Sequence, residues 1–225
     1  MLYLVKHDEI RFTRTLSSFV SQVPTLIAQF DASLSGVGVV WYRKENGTEK
    51  CVGFCAVSID HLGFKDNSSY QNLAEFIGAV ISVIGALHVG TADQPLELRG
   101  DSVTALTWAI TERPRGVLVT RAAIVWTLLC LASGVNIHAV THVPGSANTV
   151  CDQLSRRGTC SKDTVEEHAL KMGLTGCVVN LSGNKIVEDI ILACAPIPGD
   201  ENTEEEFIKF WCTTKELIDR LMDQR

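Results

Sequence analysis

The sequence predicts an α/β fold in which one mixed sheet of five strands, three antiparallel and then parallel ones, carries helices on its faces. Three observations lead there. The first is a series of β-rich segments, 24–34, 36–44 and 49–59, with Asn46 and Gly47 between the last two. Asn and Gly tolerate the positive φ of a two-residue hairpin turn, so these segments form an antiparallel meander. The second is a pair of helical stretches, 70–87 and 118–133, so apolar on every side that each needs cover. The third is the order that follows the meander: helix, strand 95–99, helices, strand 135–140, helix. Strands separated by helices pair in parallel, which makes the sheet mixed.

Each element has a local reason. Residues 1–23 read as an irregular lead-in. The first strand is mostly apolar up to Asp31, and Gly36 and Gly38 open the second, where we assign them to the backbone of the hairpin. Residues 60–69 form a polar loop before the helix at 70–87. The strand at 95–99 stops at Gly100, and Asp101 or Ser102 is placed to cap the next helix, 101–111. Pro114 and Gly116 break the chain, and Gly134 closes the helix at 118–133. Pro144-Gly145 turns the chain after the fifth strand, and Asn148 opens a helix that runs to Arg157. A boundary near 158–161 divides a domain at 24–158 from an acidic extension, 159–225. The extension holds two helical segments, 164–172 and 204–222, and an apolar piece, 186–195.

Composition narrows the function classes. Apolar residues make up 46% of 225, enough for a sizeable core and too many for wholesale disorder. The longest apolar stretches, 76–87 and 122–135, are too short to span a bilayer, and the N-terminus lacks the pattern of a signal peptide. We therefore expect an intracellular protein. Its eight cysteines are scattered without a CxxC pair, so structural zinc and a disulfide framework are not expected. Residues 1–158 carry 13 basic and 13 acidic residues, whereas 159–225 carry 7 and 13, so the net charge of −6 belongs to the extension. No overall basic footprint marks a strong autonomous nucleic-acid binder.

Four carboxylates then need an explanation: Asp31, Glu75, Asp101 and Asp152. Each has a plain reading of its own. Asp31 can end a strand, Glu75 can sit in the favourable first turn of its helix, Asp101 can cap a helix, and Asp152 can pair with Arg156 one turn on. The joint reading is stronger. Strand ends and helix starts of such a fold converge on one edge of the sheet. Carboxylates gathered there repel one another unless hard divalent cations relieve the repulsion. Two such ions about 4 Å apart suit phosphodiester cleavage.

The same segments resemble the type 1 ribonuclease H domain, above all the form found in reverse-transcribing retroelements of gypsy-like and DIRS-like type. "DASLSGVGVV" resembles that family's aspartate followed by a Gly-x-Gly hairpin, "NLAE" its Asn-x-Ala-Glu helix start, and "GDS" its third motif. "HVPGSANTVCDQLSRR" resembles the retroelement ending, with Cys151 in the usual alanine position. The four motifs stand in the family order and cover residues 25–158. The resemblance implies a ribonuclease H-like fold and hydrolysis of the RNA strand of an RNA–DNA hybrid by a two-magnesium mechanism, with manganese able to substitute. It implies that Asp31, Glu75, Asp101 and Asp152 hold the ions and that His142 assists proton transfer or product release. Ser33, Asn72 and Asn148 are candidates for contacts to the hybrid, although Asn148 also suits a helix cap.

Cellular members often carry a basic protrusion where this chain has only "TERPRGVLVTR". That departure implies weak binding by the domain itself, with a polymerase domain of the same reverse transcriptase polyprotein supplying the grip. The implied setting is the cytoplasm or nucleus, including a retroelement particle, with no membrane partner. A catalytically inactive spacer or interaction module is the alternative reading. An integrase on the same architecture and a host protein derived from a retroelement are two others. The two apolar helices should be neighbours on one sheet face, covered by the extension or by a partner.

Overall fold

Asn46 (φ 51°) and Gly47 (φ 80°) make the two-residue turn that their chemistry requires. In the computed structural model, which describes residues 24–90, 95–111, 116–197 and 204–224, this turn joins β2 (Gly36–Glu45) to β3 (Thr48–Ser58), and β2 pairs antiparallel with β1 (Leu26–Ala32). The lead-in at 1–23, Arg113 and Arg115, and most of the acidic run before the last helix lie outside the described residues.

Helix α1 (Ser68–Val89) is two residues longer at each end than expected. The side-chain oxygen of Asn67 accepts hydrogen bonds from the Ser69 and Tyr70 amides at 3.0 and 3.1 Å, which starts the helix earlier. At 22 residues α1 is long and apolar enough to cross a membrane by length and composition, a point the shorter apolar run had concealed. Its centre, Leu73–Ala86, is buried inside the fold, where it fills the core.

β4 (Pro95–Gly100), α2 (Val103–Thr111), α3 (Thr120–Ser133), β5 (Asn136–His142) and α4 (Thr149–Ser155) follow. Ser102 caps α2, its hydroxyl accepting from the Ala105 amide at 3.2 Å, which frees Asp101 from that role. β4 lies parallel to both β1 and β5. The extension supplies α5 (Lys162–Lys171), β6 (Cys177–Val178), α6 (Lys185–Cys194) and α7 (Glu204–Met222). β6 pairs with β3, so the sheet has six strands in the order β5-β4-β1-β2-β3-β6. A two-residue strand leaves no periodicity to read, which is why only five were expected.

The sheet separates two apolar layers. On one face Leu26, Ala28, Phe30, Trp41, Leu96 and Leu98 pack under α1, α2 and α3. Trp41 donates to the Ser82 carbonyl at 3.0 Å, and the Ser82 hydroxyl donates to the Gly78 carbonyl at 2.8 Å, so these two polar side chains in the layer are partnered. On the other face Val40, Phe54 and Ala56 meet Cys151 and Leu154 of α4 and Val165 of α5. Helices α6 and α7 lie on α3, with Ile190, Ile191, Ile218 and Leu221 buried and the Arg121 guanidinium 3.9 Å from the centre of the Phe210 ring. The extension therefore covers the apolar outer side of α3. The antiparallel meander, the parallel strands beside β1 and the helices on both faces make a ribonuclease H-like fold.

Candidate metal centre

The parallel register builds the site. Leu26 pairs with Leu96 and Gln29 with Arg99. Carried two residues further, the same register sets Asp31, near the end of β1, beside Asp101, just past the end of β4. Helix α1 crosses the end of β1 and brings in Glu75 from its second turn. One carboxylate oxygen from each of Asp31, Glu75 and Asp101 lies within 4.8 Å of the others.

This trio is not a satisfied polar cluster. Asp31 is 7% exposed and Glu75 4%. Asp31 accepts from the Asn148 amide at 3.2 Å and from the Ser155 hydroxyl at 3.3 Å. Glu75 Oε1 accepts from Gln71 at 3.2 Å, and the same Gln71 nitrogen donates to the Ala32 carbonyl at 2.7 Å, tying α1 to the end of β1. Glu75 Oε2 is buried with no hydrogen-bond partner. Burial, and then the charges of Asp101 and Asp152, push the Asp31 carboxyl up to about 6. Burial, and then the charges of Asp31 and Asp101, push Glu75 up to about 9. Without a cation Glu75 therefore holds a proton at neutral pH, whereas Asp31 is mostly ionised.

Glu97 shows what a balanced buried carboxylate looks like in the same sheet. Burial raises it, but hydrogen bonds from Arg99 at 2.7 Å and Thr141 at 2.8 Å outweigh that and lower it overall. Arg99 also grips Glu49 through two 2.9 Å bonds. Glu75 has no comparable cationic partner among the causes that shift it. A hard divalent cation with oxygen ligands fits the orphaned Glu75 oxygen and the three converging carboxylates.

The fourth carboxylate stands apart. Asp152, on α4, is outside the trio and forms an ion pair with Arg156, at 2.6 Å from Nη2. Its plain sequence reading is the one the structure shows. Its charge still reaches Asp31, since it contributes to raising that group. β5 runs two residues beyond the expected strand at 135–140, so His142 is its last residue. It is exposed and stands opposite Gly100 in the ladder, one residue from Asp101. The loop after it folds back so that a Cβ on Gly145 would lie 3.3 Å from Asp101 Oδ2.

The expected substrate contacts divide. Ser33 closes the β1–β2 turn, its hydroxyl accepting from the Gly36 amide at 3.1 Å, in a partly exposed position. Asn72 is half-buried on α1. Asn148 is corrected: it is fully buried and cannot touch a substrate, and its side chain does not cap α4. Its amide instead bridges the Phe30 carbonyl at 2.9 Å and Asp31, while its oxygen accepts from Gln29 at 2.8 Å. A lone Asn before a helix signals a cap, and only the tertiary packing redirects it.

Gly36 and Gly38 lie in β2 of the β1–β2 hairpin, as expected, but their missing side chains also serve packing. Neither has a positive φ. A Cβ on Gly38 would meet Leu154 Cβ and the Ser155 amide at 2.6 Å and the Cys151 carbonyl closer still. The bare backbone lets α4 lie directly on β2, which puts Ser155 within reach of Asp31. Gln29, Gln71 and Ser155 were not singled out in the sequence. Gln71 carried a usable signal, lying four residues before Glu75 on one helix face.

No protein-family model matches this sequence, and no curated protein matches it. Solved structures do show a likeness. LC11-RNase H1 in complex with an RNA/DNA hybrid is 15% identical, with 59% of this chain and 94% of that chain covered and a TM-score of 0.45. A second structure of LC11-RNase H1, isolated from compost by a metagenomic approach, gives 13%, 60%, 96% and 0.43 for the same measures. The foamy viral protease-reverse transcriptase in complex with an RNA/DNA hybrid is 14% identical, covering 67% of this chain and 21% of that one, with a TM-score of 0.38.

Proposed function

We propose that this chain is a divalent-cation-dependent endonuclease that hydrolyses the RNA strand of RNA–DNA hybrids. One observation carries the reading: the convergence of Asp31, Glu75 and Asp101, with an orphaned buried oxygen on Glu75. The four ribonuclease H-like motifs in order across residues 25–158 supply the substrate class, and the LC11 and foamy viral structures that bear hybrids are consistent with it.

Asp31, Glu75 and Asp101 hold the first magnesium ion and Asp152 joins in holding a second, with manganese an acceptable substitute. Bound there, the cations supply charge stabilisation for the attacking and leaving oxygens of phosphodiester hydrolysis. Asn148 and Ser155 fix the Asp31 carboxylate, and Gln71 fixes Glu75. His142, exposed beside the end of β4, moves a proton or helps product leave. Ser33 and Asn72, at the accessible rim, face the hybrid. Recognition rests on 2′-hydroxyls and on the shape of a wide, shallow minor groove.

The setting we propose is a retroelement reverse transcriptase polyprotein acting in the cytoplasm or nucleus. Residues 24–158 form its nuclease domain and 159–225 an extension, with a polymerase domain holding the substrate. The test is a labelled hybrid incubated with magnesium. The wild-type chain is expected to cut only the RNA strand. Asp101→Asn should lower the rate by about a hundredfold or more, the scale of losing one preorganised stabilising group. A wild-type chain as inert as the variant, with or without the polymerase domain added, refutes the proposal in favour of an inactive module.

A further inference from the structure

We infer that Arg156 competes with a divalent cation for Asp152 and so sets the affinity of the second ion at this site; the inference rests on the metal-dependent reading above. Both Asp152 oxygens face the guanidinium, Oδ1 at 2.6 Å from Nη2 and Oδ2 at 3.3 Å from Nε. Each of those oxygens keeps a second lone pair, but a cation bound there sits beside the guanidinium charge, so its binding is opposed for as long as the pair holds.

Three further observations place this pair at the site. Ser155 shares the short helix with Asp152, and its single hydroxyl proton is divided between the Asp152 carbonyl at 2.8 Å and Asp31 at 3.3 Å. Gly36 and Gly38 hold that helix hard against β2, so the Asp152 backbone is fixed while its side chain is not. The side chains of Asp152 and Arg156 are 41% and 65% exposed, so water, a cation or a phosphate can exchange into the pair. Asp31 and Glu75 have no ion pair of this kind: both are buried, their hydrogen bonds come from neutral amides and a hydroxyl, and the Arg156 charge reaches Asp31 only as the smallest of the influences on it. The two ion positions are therefore unequal. The first is open to a cation, and the second is held by an internal counter-ion that opposes a cation.

The experiment is a calorimetric titration of the full chain with magnesium alone, without nucleic acid, on wild type, Arg156→Gln, Arg156→Lys, Asp152→Asn and Asp101→Asn. Exposed pairs one helical turn apart are weak, and removing Arg156 also removes a like charge from the cation's neighbourhood. Arg156→Gln is expected to tighten the second, weaker binding step by roughly two- to fivefold, with the first step changed less, since the Arg156 charge is the smallest influence on Asp31. Arg156→Lys should fall between, because an ammonium cannot grip both oxygens in the same plane. Asp152→Asn should lose the second step. A second step that is unchanged or weaker in Arg156→Gln, beside an intact first step, overturns the competition and leaves the metal-dependent reading standing. Wild-type binding that Asp101→Asn does not weaken overturns that reading, and this inference with it. Unchanged thermal melting of the Arg156 variants without magnesium confirms that the comparison concerns folded protein.

Discussion

Glu75→Gln should make the metal-free protein more stable, against the usual direction of a buried substitution. Glu75 ordinarily titrates at 4.5 and is pushed up to about 9 in the fold, so the folded chain binds this proton more tightly than the unfolded chain. The linkage sign follows from that difference. Stability from this group is full below about pH 4.5 and falls as pH rises towards about 9, because folding must take up a proton that the unfolded chain has released. At pH 7 the cost is about 1.4 kcal/mol for each unit above 4.5, roughly 3 kcal/mol in total. For a chain of this size that is roughly 6–12 °C in Tm. A glutamine keeps the shape, keeps an acceptor for Gln71 and never ionises. The assay is thermal melting in a chelator at pH 5 and pH 8, followed by tryptophan fluorescence. We expect the variant's advantage to be small at pH 5 and to grow with pH, and magnesium to raise the wild-type Tm at pH 8 but not the variant's. An advantage that does not change with pH refutes the burial-and-repulsion account of this carboxylate.

Two other expectations follow from packing. Gly38→Val forces a side chain into Leu154 and Ser155, so α4 must move; overpacking of this kind costs about 1–3 kcal/mol, measurable by chemical denaturation. The same variant should lose hydrolysis beyond its loss of stability, because α4 carries Ser155 and Asp152. Removing residues 160–225 strips α6 and α7 from α3. Each fully buried aliphatic side chain is worth about 1.5–3 kcal/mol, so losing Ile190, Ile191 and Ile218 approaches the whole margin of about 5–15 kcal/mol typical of a folded domain. Light scattering should show aggregation, and a monomeric, equally stable fragment contradicts the role given to the extension.

The strong local signals were legible in the sequence. Asn46-Gly47 announced its hairpin, the apolar stretches announced their helices, and a charged residue amid Leu73–Leu87 announced that Glu75 needed a reason to be there. The order of elements sufficed for the mixed sheet, and with it for the meeting of Asp31 and Asp101. What escaped depends on contacts between segments distant in the chain. Asn148 looked like a cap because capping is local, yet its partners are Gln29, Phe30 and Asp31, more than a hundred residues away. Gly36 and Gly38 were assigned only to the hairpin backbone because the close approach of α4 leaves no trace in their own neighbourhood. β6 was too short to show a period at all.

The register between β1 and β4 also governs how preparations of the protein should behave under the proposed function. Side chains alternate across a strand, so a slip of one residue turns Asp31 from the site into the layer occupied by Phe30. A misaligned molecule therefore retains no partial ligand set. Specific activity should scale with the correctly threaded fraction of a sample, and the number of tight ion sites per chain counts that fraction directly.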